Sequence, residues 1–458
     1  MVRGAYEEIL IRWSTPLLVV LAFVELGLYM LVRSWGALAP LGATMAVFAV
    51  QFVLYAIALV VSQARRWQAK QSRSPSTLLV ILIAAVAFRV VMVTAFPTLS
   101  SDMFRYVWDG RVQAAGISPY AFPPGAPELI PLRDSTVWPL INRKDSVTIY
   151  PPGAEIAFRA INLLGGDSVW AVKATMTLAD IGTLALLLAL LRALGQPLTL
   201  IIIYAWHPLA VYEIAGSAHV EALMLVCLVL ALLAARRGWD SVTGVGLAAA
   251  TLIKLFPVLL LPALCWRRRW RLPIAFLVTV ALAVYPYRTS GLGIITYYPI
   301  YLREVFNMSA AAVVGESLRL VGISDPYRVV QLLLLALVVG LATWHLLRPS
   351  KGEQQYLVRG FTIIALLTLG SQFLQPWYVL WLLPFLTTLW PWSSPSIGYR
   401  VLPVNVWLAW LLFSGTVFLS YHYYIGERYS PLFVGAEYLP LYLLLVLPWL
   451  VRLGCKRA

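Results

Sequence analysis

The stretch "VVMVTAFPTLSSDMFRYVWDGRVQAAGISPY", Val90 to Tyr120, decides how the chain is read. An apolar run ends at Pro97, and Asp102, Arg105, Asp109 and Arg111 follow within one short segment. An apolar run that gives way abruptly to charge is the pattern of a helix leaving a bilayer. The whole chain repeats it: 61% of its 458 residues are hydrophobic and only 12% charged. That composition excludes a soluble globular protein and points to an all-α polytopic membrane protein, read as one integral-membrane domain over 1–458.

The net charge of +15 would suggest nucleic acid in a soluble chain. Here the basic residues gather in short loops such as "QARRWQAKQSR", "AARRGW", "CWRRRWR" and "LLRPSKGEQQYLVRG", which fix orientation by facing the cytoplasm. No nucleic-acid partner is expected; the partner is the lipid bilayer of the plasma (inner) membrane. Spans near 14–34, 41–63 and 76–96 put the N-terminus in the cytoplasm and 97–167 outside as a first large extracytoplasmic loop. Further spans fall near 168–192, 197–214 and 217–235. The run from Val242 to Leu264 has basic loops at both ends, so it reads as a broken pair of short helices meeting near "LIKLFP". Spans near 272–287, 328–347, 359–374, 376–391, 401–420 and 437–452 complete about 11–13 transmembrane helices. A second extracytoplasmic loop covers 288–327, and both loops are expected to carry short amphipathic helices. Cys227, Cys265 and Cys455 all fall in spans or at the cytoplasmic face, so no disulfide framework is expected.

Within the first loop, "SSD" is a helix start, with Ser100 or Ser101 as cap and Gly116 as stop. On that helix Asp102, Tyr106, Asp109 and Gln113 lie within about 40° of one another, with Arg105 flanking. Two readings follow: an amphipathic helix lying wet on the membrane surface, or an active-site carboxylate on a short tether.

"SSDMFRYVWDGRVQAAGISPY", "TIYPPGAEIAF", "WHPLAVYEIAGSAHVEALML", "LIKLFPVLLLPAL" and "LQPWYVLWLLPF" occur in that order between about Pro97 and Pro384. In this succession the chain resembles the GT-C superfamily of integral-membrane glycosyltransferases. Within it the resemblance is to glycosyltransferase family 87 and related bacterial polyprenyl-phosphate-mannose-dependent mannosyltransferases. The resemblance implies a GT-C fold and transfer, with inversion, of a hexose, most readily mannose, from a polyprenyl phosphate sugar to an acceptor hydroxyl at the extracytoplasmic face. The acceptor would be a glycolipid, a polysaccharide or a protein. It implies Asp102 as the catalytic base. Three spans precede that aspartate, where many members of the superfamily place one; residues 1–70 are then two additional N-terminal helices.

A leaving lipid phosphate needs cations and donors beside it. The candidates are Arg105, Tyr106, Tyr150, Lys254 and Arg303. Asp109, His207, Glu213, His219, Glu221, Gln372, Gln375, Trp377 and Tyr378 are candidates for substrate contacts, since they cluster at the ends of spans on the same face. A monophosphate leaving group can be met by lysine, arginine and tyrosine, and no D-x-D pair surrounds Asp102, so neither a divalent metal nor any other cofactor is expected. Lys173 and Asp180, seven apart on one helical face, read as a packing or ion-pair device. The rival function is a transporter or lipid flippase, for which the break at "LIKLFP" is the best evidence.

Overall fold

In hydrocarbon every backbone polar group must be satisfied within the protein, so a chain of this composition folds as helices. A computed structural model describes residues 2–63, 75–265, 270–295, 304–307, 309–348, 354–392, 402–426 and 428–455, and these are all-helical apart from connections and one isolated bridge. The principal helices are α1 (Val2–Ser34), α2 (Leu41–Gln63), α3 (Pro75–Val93), α4 (Asp102–Ala114), α5 (Pro152–Gly165), α6 (Val169–Ala193), α7 (Glu221–Arg237) and α8 (Asp240–Ile253). They continue with α9 (Arg271–Val284), α10 (Ala310–Leu320), α11 (Pro326–Leu347), α12 (Gln355–Gly370), α13 (Val404–Thr416) and α14 (Pro431–Cys455).

Among the described residues eight helices are long and apolar enough to cross a membrane, and the pair Leu198–Ala205 and Pro208–Gly216, bent by 58°, forms a broken span or a re-entrant loop. The remaining runs of the 11–13 expected form shorter or broken helices. Hydropathy alone counts any apolar run, but α7, α8 and α12 are only 17, 14 and 16 residues long. The run 376–391 is built from the short turns Pro376–Leu382 and Leu383–Thr388, started by Pro376 and Pro384 and buried throughout. Short and irregular backbone of this kind is tolerated at membrane depth where protein surrounds it.

The run around "LIKLFP" is interrupted at Lys254, whose backbone is extended (φ −139°, ψ 132°), and resumes as the turns Phe256–Leu260 and Leu261–Leu264. Lys254 reaches Glu221 at the start of α7, while a side chain at Gly246 would sit 3.1 Å from Cys227 O, so α8 runs antiparallel to α7. Leu272 at the start of α9 lies against Gly244, so the chain has by then returned to the end where α8 begins. Glycine at 244 and 246 lets these backbones approach closely.

α3 and α6 are locked by buried polar contacts. Arg89 Nε donates to Asp180 Oδ2 (2.6 Å) and its Nη1 to Ala205 O (2.8 Å), while Tyr204 Oη donates to Asp180 Oδ1 (2.5 Å). Two turns away, Lys173 Nζ donates to Met92 O (3.2 Å) and Ala95 O (2.5 Å) at the end of α3. Because Arg89 and Asp180 are both fully buried, removing one partner strands a charge, at a cost of about 3–5 kcal/mol. Asp180→Ala should therefore lower the unfolding temperature in detergent far more than Arg89→Met/Asp180→Leu; a double variant no more stable than Asp180→Ala would refute the assignment.

Candidate active site

The linker after α3 is rooted by Lys173 seven residues ahead of Asp102. Ser100 Oγ accepts from Asp102 N (3.2 Å), so Asp102 opens α4 in the first turn, where the helix dipole favours a carboxylate. α4 ends as its sequence signals suggest, with Gly116 in the left-handed region at φ 78°. Its middle is buried on every side, from Met103 to Gly110 and again at Val112 and Gln113. That excludes a helix lying wet on a surface: α4 is a core element of the loop domain.

Asp102 lines a cavity of about 290 Å³. Its lining mixes charged and polar residues, Asp102, Arg105, Asn142, Arg143, Lys254 and Gln375, with the rings of Tyr150, Phe373, Trp377, Tyr378 and Tyr424. Asn142 Nδ2 donates to Asp102 Oδ1 (2.7 Å), fixing the carboxylate's orientation. Lys254 Nζ is 3.1 Å from Glu221 Oε1 and lies 5.2 Å from the Tyr378 ring centroid and 5.9 Å from that of Tyr150. The ammonium thus packs between a carboxylate and two ring faces.

A second layer stands behind. His219 stacks on Trp377 (centroids 3.9 Å apart), and its Nδ1 lies 3.1 Å from Glu213 Oε2. Tyr421 Oη donates to Glu213 Oε1 (3.0 Å). The turn carrying these residues is irregular: Val211–Gly216 is widened to a π-type turn, and Ala218 takes φ 58°, a left-handed conformation costly for alanine. This backbone aims His219 and Glu221 toward the cavity wall.

Arg105 lines the cavity but is largely committed to structure. Its Nε donates to Asp109 Oδ1 (2.9 Å), Nη1 to Arg143 O (3.4 Å) and Ser146 O (3.2 Å), and Nη2 also to Ser146 O (3.2 Å). It thereby clamps the loop that presents Asn142 and Arg143. Tyr106 does not line the cavity; its hydroxyl accepts from Val220 N (3.4 Å), tying α4 to the His219 turn. Asp109 is buried beneath Arg105 and holds it. His207 is placed elsewhere: its Nε2 pairs with Ser414 Oγ (2.8 Å) and its Nδ1 accepts from Leu209 N (3.2 Å), a helix-start and packing role that replaces the expected substrate contact. Gln372 is a frame residue, its carbonyl accepting from Phe306 N (3.0 Å). Arg303 and the basic loops 64–74, 266–269 and 349–353 lie outside the described residues.

Sequence reasoning missed Asn142, Arg143, Tyr424, Tyr421 and Glu155. Arg143, at φ 48°, pairs with Glu304 across the two loops. The polar run "INRKDS" and the tyrosine run "SYHYYIGERY" are the signals that could have found the first four. Glu155 receives Thr148 Oγ1 (2.7 Å) and Gln113 Nε2 (2.9 Å) beneath α4. Burial, then the charge of Asp109, pushes its carboxyl well above the usual range; burial also raises Asp109, against the pull of Arg105.

The architecture is that of a multi-pass membrane protein with a polar cavity lined by helix ends and the segments that connect them. Residues 148–374 match the model of glycosyltransferase family 87. The match is consistent with a GT-C-like membrane enzyme and supports a glycosyltransferase. No curated protein matches the chain. Tyr150, Lys254 and Phe373 fall inside the matched residues, whereas Asp102 and Asn142 precede them and Gln375, Trp377, Tyr378 and Tyr424 follow.

Glu155 generates a pH prediction. An acid with a raised folded-state pKa binds more protons folded than unfolded, so its stabilising contribution is present below the unfolded carboxylate value and is lost as pH rises toward the folded one. The groups facing it are Asp109 and Arg105 on α4, Arg159 on its own helix, and Tyr287, whose hydroxyl donates to Gln113 Oε1 (2.7 Å). Glu155→Gln should flatten the fall in melting temperature with rising pH above about 4.5; an unchanged slope would show that Glu155 is ionised in the folded protein.

Proposed function

We propose that the chain is an inverting hexosyltransferase that moves mannose, from a polyprenyl phosphate donor, to an acceptor hydroxyl on the extracytoplasmic side of the plasma membrane. The observation that supports this reading best is the single cavity that sets an oriented carboxylate, Asp102, and a cation, Lys254, among aromatic rings. Basic loops at the ends of the spans support the orientation, since they favour the cytoplasm.

In this reading the acceptor oxygen attacks the anomeric carbon, and Asp102 Oδ2 takes its proton while Asn142 holds Oδ1. The bond from the anomeric carbon to the phosphate oxygen breaks, and its electron pair leaves with the lipid phosphate. Lys254 meets the charge that develops there, so the step requires neither a divalent ion nor another cofactor. Glu221 and the rings of Tyr150 and Tyr378 hold Lys254 in place. Arg105 acts through the Asn142 loop as a positioning residue. The acceptor is a hydroxyl of a glycolipid, a polysaccharide or a protein.

Asp102→Asn keeps size but cannot take the proton, so transfer from a radiolabelled polyprenyl phosphate mannose should fall about 10²- to 10⁴-fold. The melting temperature should stay near wild type, because a carboxylate in the first turn of a helix contributes only about 1 kcal/mol. Turnover within threefold of wild type, small beside the loss of a base, would remove Asp102 from that role. Arg105→Gln and Asn142→Ala should each slow transfer, and their combination should cost less than the product of the two, since both act by presenting one amide to Asp102.

A further inference from the structure

The N-terminal pair of helices reaches the site through one face of α2. Phe48, Gln51 and Tyr55 follow one another at helical spacing, so they share a stripe, and all three are buried. Tyr55 Oη donates to Ile203 O (3.0 Å), and its ring lies 4.9 Å from that of His207. Gln51 Oε1 accepts from Tyr212 Oη (2.8 Å). Phe48 stacks on Phe418, with centroids 3.7 Å apart, and meets Tyr212 edge-on at 5.6 Å. Tyr29 of α1 adds a further ring 5.7 Å from Tyr212.

Those partners stand one step from the cavity wall. Tyr212 directly precedes Glu213 in the widened turn, and Phe418 lies just before Tyr421 in the turn Val417–Ile425. The rings of Tyr212 and Phe418 are themselves 5.6 Å apart, so Phe48 joins the two segments that carry Glu213 and Tyr421. Glu213 and Tyr421 pair with each other, Glu213 meets His219, and His219 stacks on the cavity-lining Trp377. A widened turn that leads into a left-handed alanine is unfavourable backbone, which persists where its surroundings over-determine it. α2 supplies two of those surroundings, a hydrogen bond and a stacked ring.

We infer that Phe48 and Gln51 of α2 are positioning residues for the cavity: they hold Tyr212 and Phe418 in register, so that Glu213 and Tyr421 keep His219 seated behind Trp377. This gives the N-terminal helices a part in the site, although the cavity lining begins only at Leu99. The expected effect on rate rests on the proposed transfer reading, whereas the seating of His219 can be followed without it. A wall residue displaced by a fraction of an ångström presents a substrate differently, and rates respond steeply to such shifts.

Tyr212→Phe is the deciding variant, since it removes one oxygen and keeps the ring that packs on Phe48 and Phe418. Gln51→Leu removes the other half of the same bond. In each, transfer from a short polyprenyl phosphate mannose, corrected for folded protein, should slow about tenfold. The double variant should be slowed no further than the slower single one, since both cut one bond. Val53→Ala, on the exposed face of α2, should leave the rate unchanged. The readout that a merely structural bond would not move is the titration of His219, followed by NMR with labelled histidine, of which the chain has four. Burial lowers this imidazole, while Glu213, Asp102 and Glu221 raise it, with a net rise above its usual value. Loosening Glu213 should bring the midpoint down in both variants. If wild type transfers from no polyprenyl phosphate sugar but the midpoint falls in Tyr212→Phe, the positioning stands and the donor reading falls. If transfer proceeds and either the rate or the His219 midpoint is unchanged in Tyr212→Phe, the positioning falls and the donor reading stands. Absence of transfer together with an unchanged midpoint overturns both.

Discussion

The grip of α6 on α3 is the constraint from which the site follows. Asp180 holds Arg89 in the body of α3, and Lys173, seven residues earlier on the same helix face, holds the carbonyls of Met92 and Ala95 at its end. The first contact is an ion pair with no exposure at all, which gains little net stability but penalises any other arrangement severely. The second caps carbonyls that would otherwise face a low-dielectric surrounding unpaired. Together they fix where the chain leaves the spans, and hence where α4 begins. A carboxylate on its first residue inherits that precision.

Charge placement around the cavity obeys the same economy. Arg105 is neutralised by Asp109 and used up on loop carbonyls, Glu213 is held by His219 and Tyr421, and Arg143 is paired with Glu304. Lys254 differs in having a carboxylate on one side and two ring faces around it. Rings stabilise a cation without competing for all of its donors, so its ammonium keeps capacity for a further acceptor. The break in the helix puts it there: an uninterrupted α8 would have carried residue 254 along the bundle instead of turning it across the cavity mouth.

How much of this was legible depended on the range of each interaction. The helix Asp102–Ala114 was readable because its start and stop are local: serines at the cap, glycine at the end. The break at Lys254 was readable because a lysine and a proline within an apolar run are expensive unless the run is interrupted. Hydropathy located the apolar runs but does not distinguish a segment facing lipid from one enclosed by protein, as 376–390 is. Asn142 was missed because its meaning lies in a partner forty residues away, Asp102. His207 was read as a ligand for the same reason in reverse: its partner Ser414 lies 207 residues on, and nothing near "WHPL" announces it.

The match to a glycosyltransferase family ends at residue 374, one short of Gln375, and begins at 148, well after Asp102. The cavity therefore joins a matched middle, which supplies Lys254, Tyr150 and Phe373, to flanking segments that supply Asp102, Trp377, Tyr378 and Tyr424. On the proposed reading this division has a chemical sense. A phosphate can be met by a cation under loose geometric demands, because the attraction is long-ranged and tolerant of direction. A proton taken from a hydroxyl depends on angles and on a distance near 3 Å. That demanding contact comes from α4, whose start is pinned by the α3–α6 grip. Rigidity is spent where geometry must be exact, and charge alone suffices elsewhere.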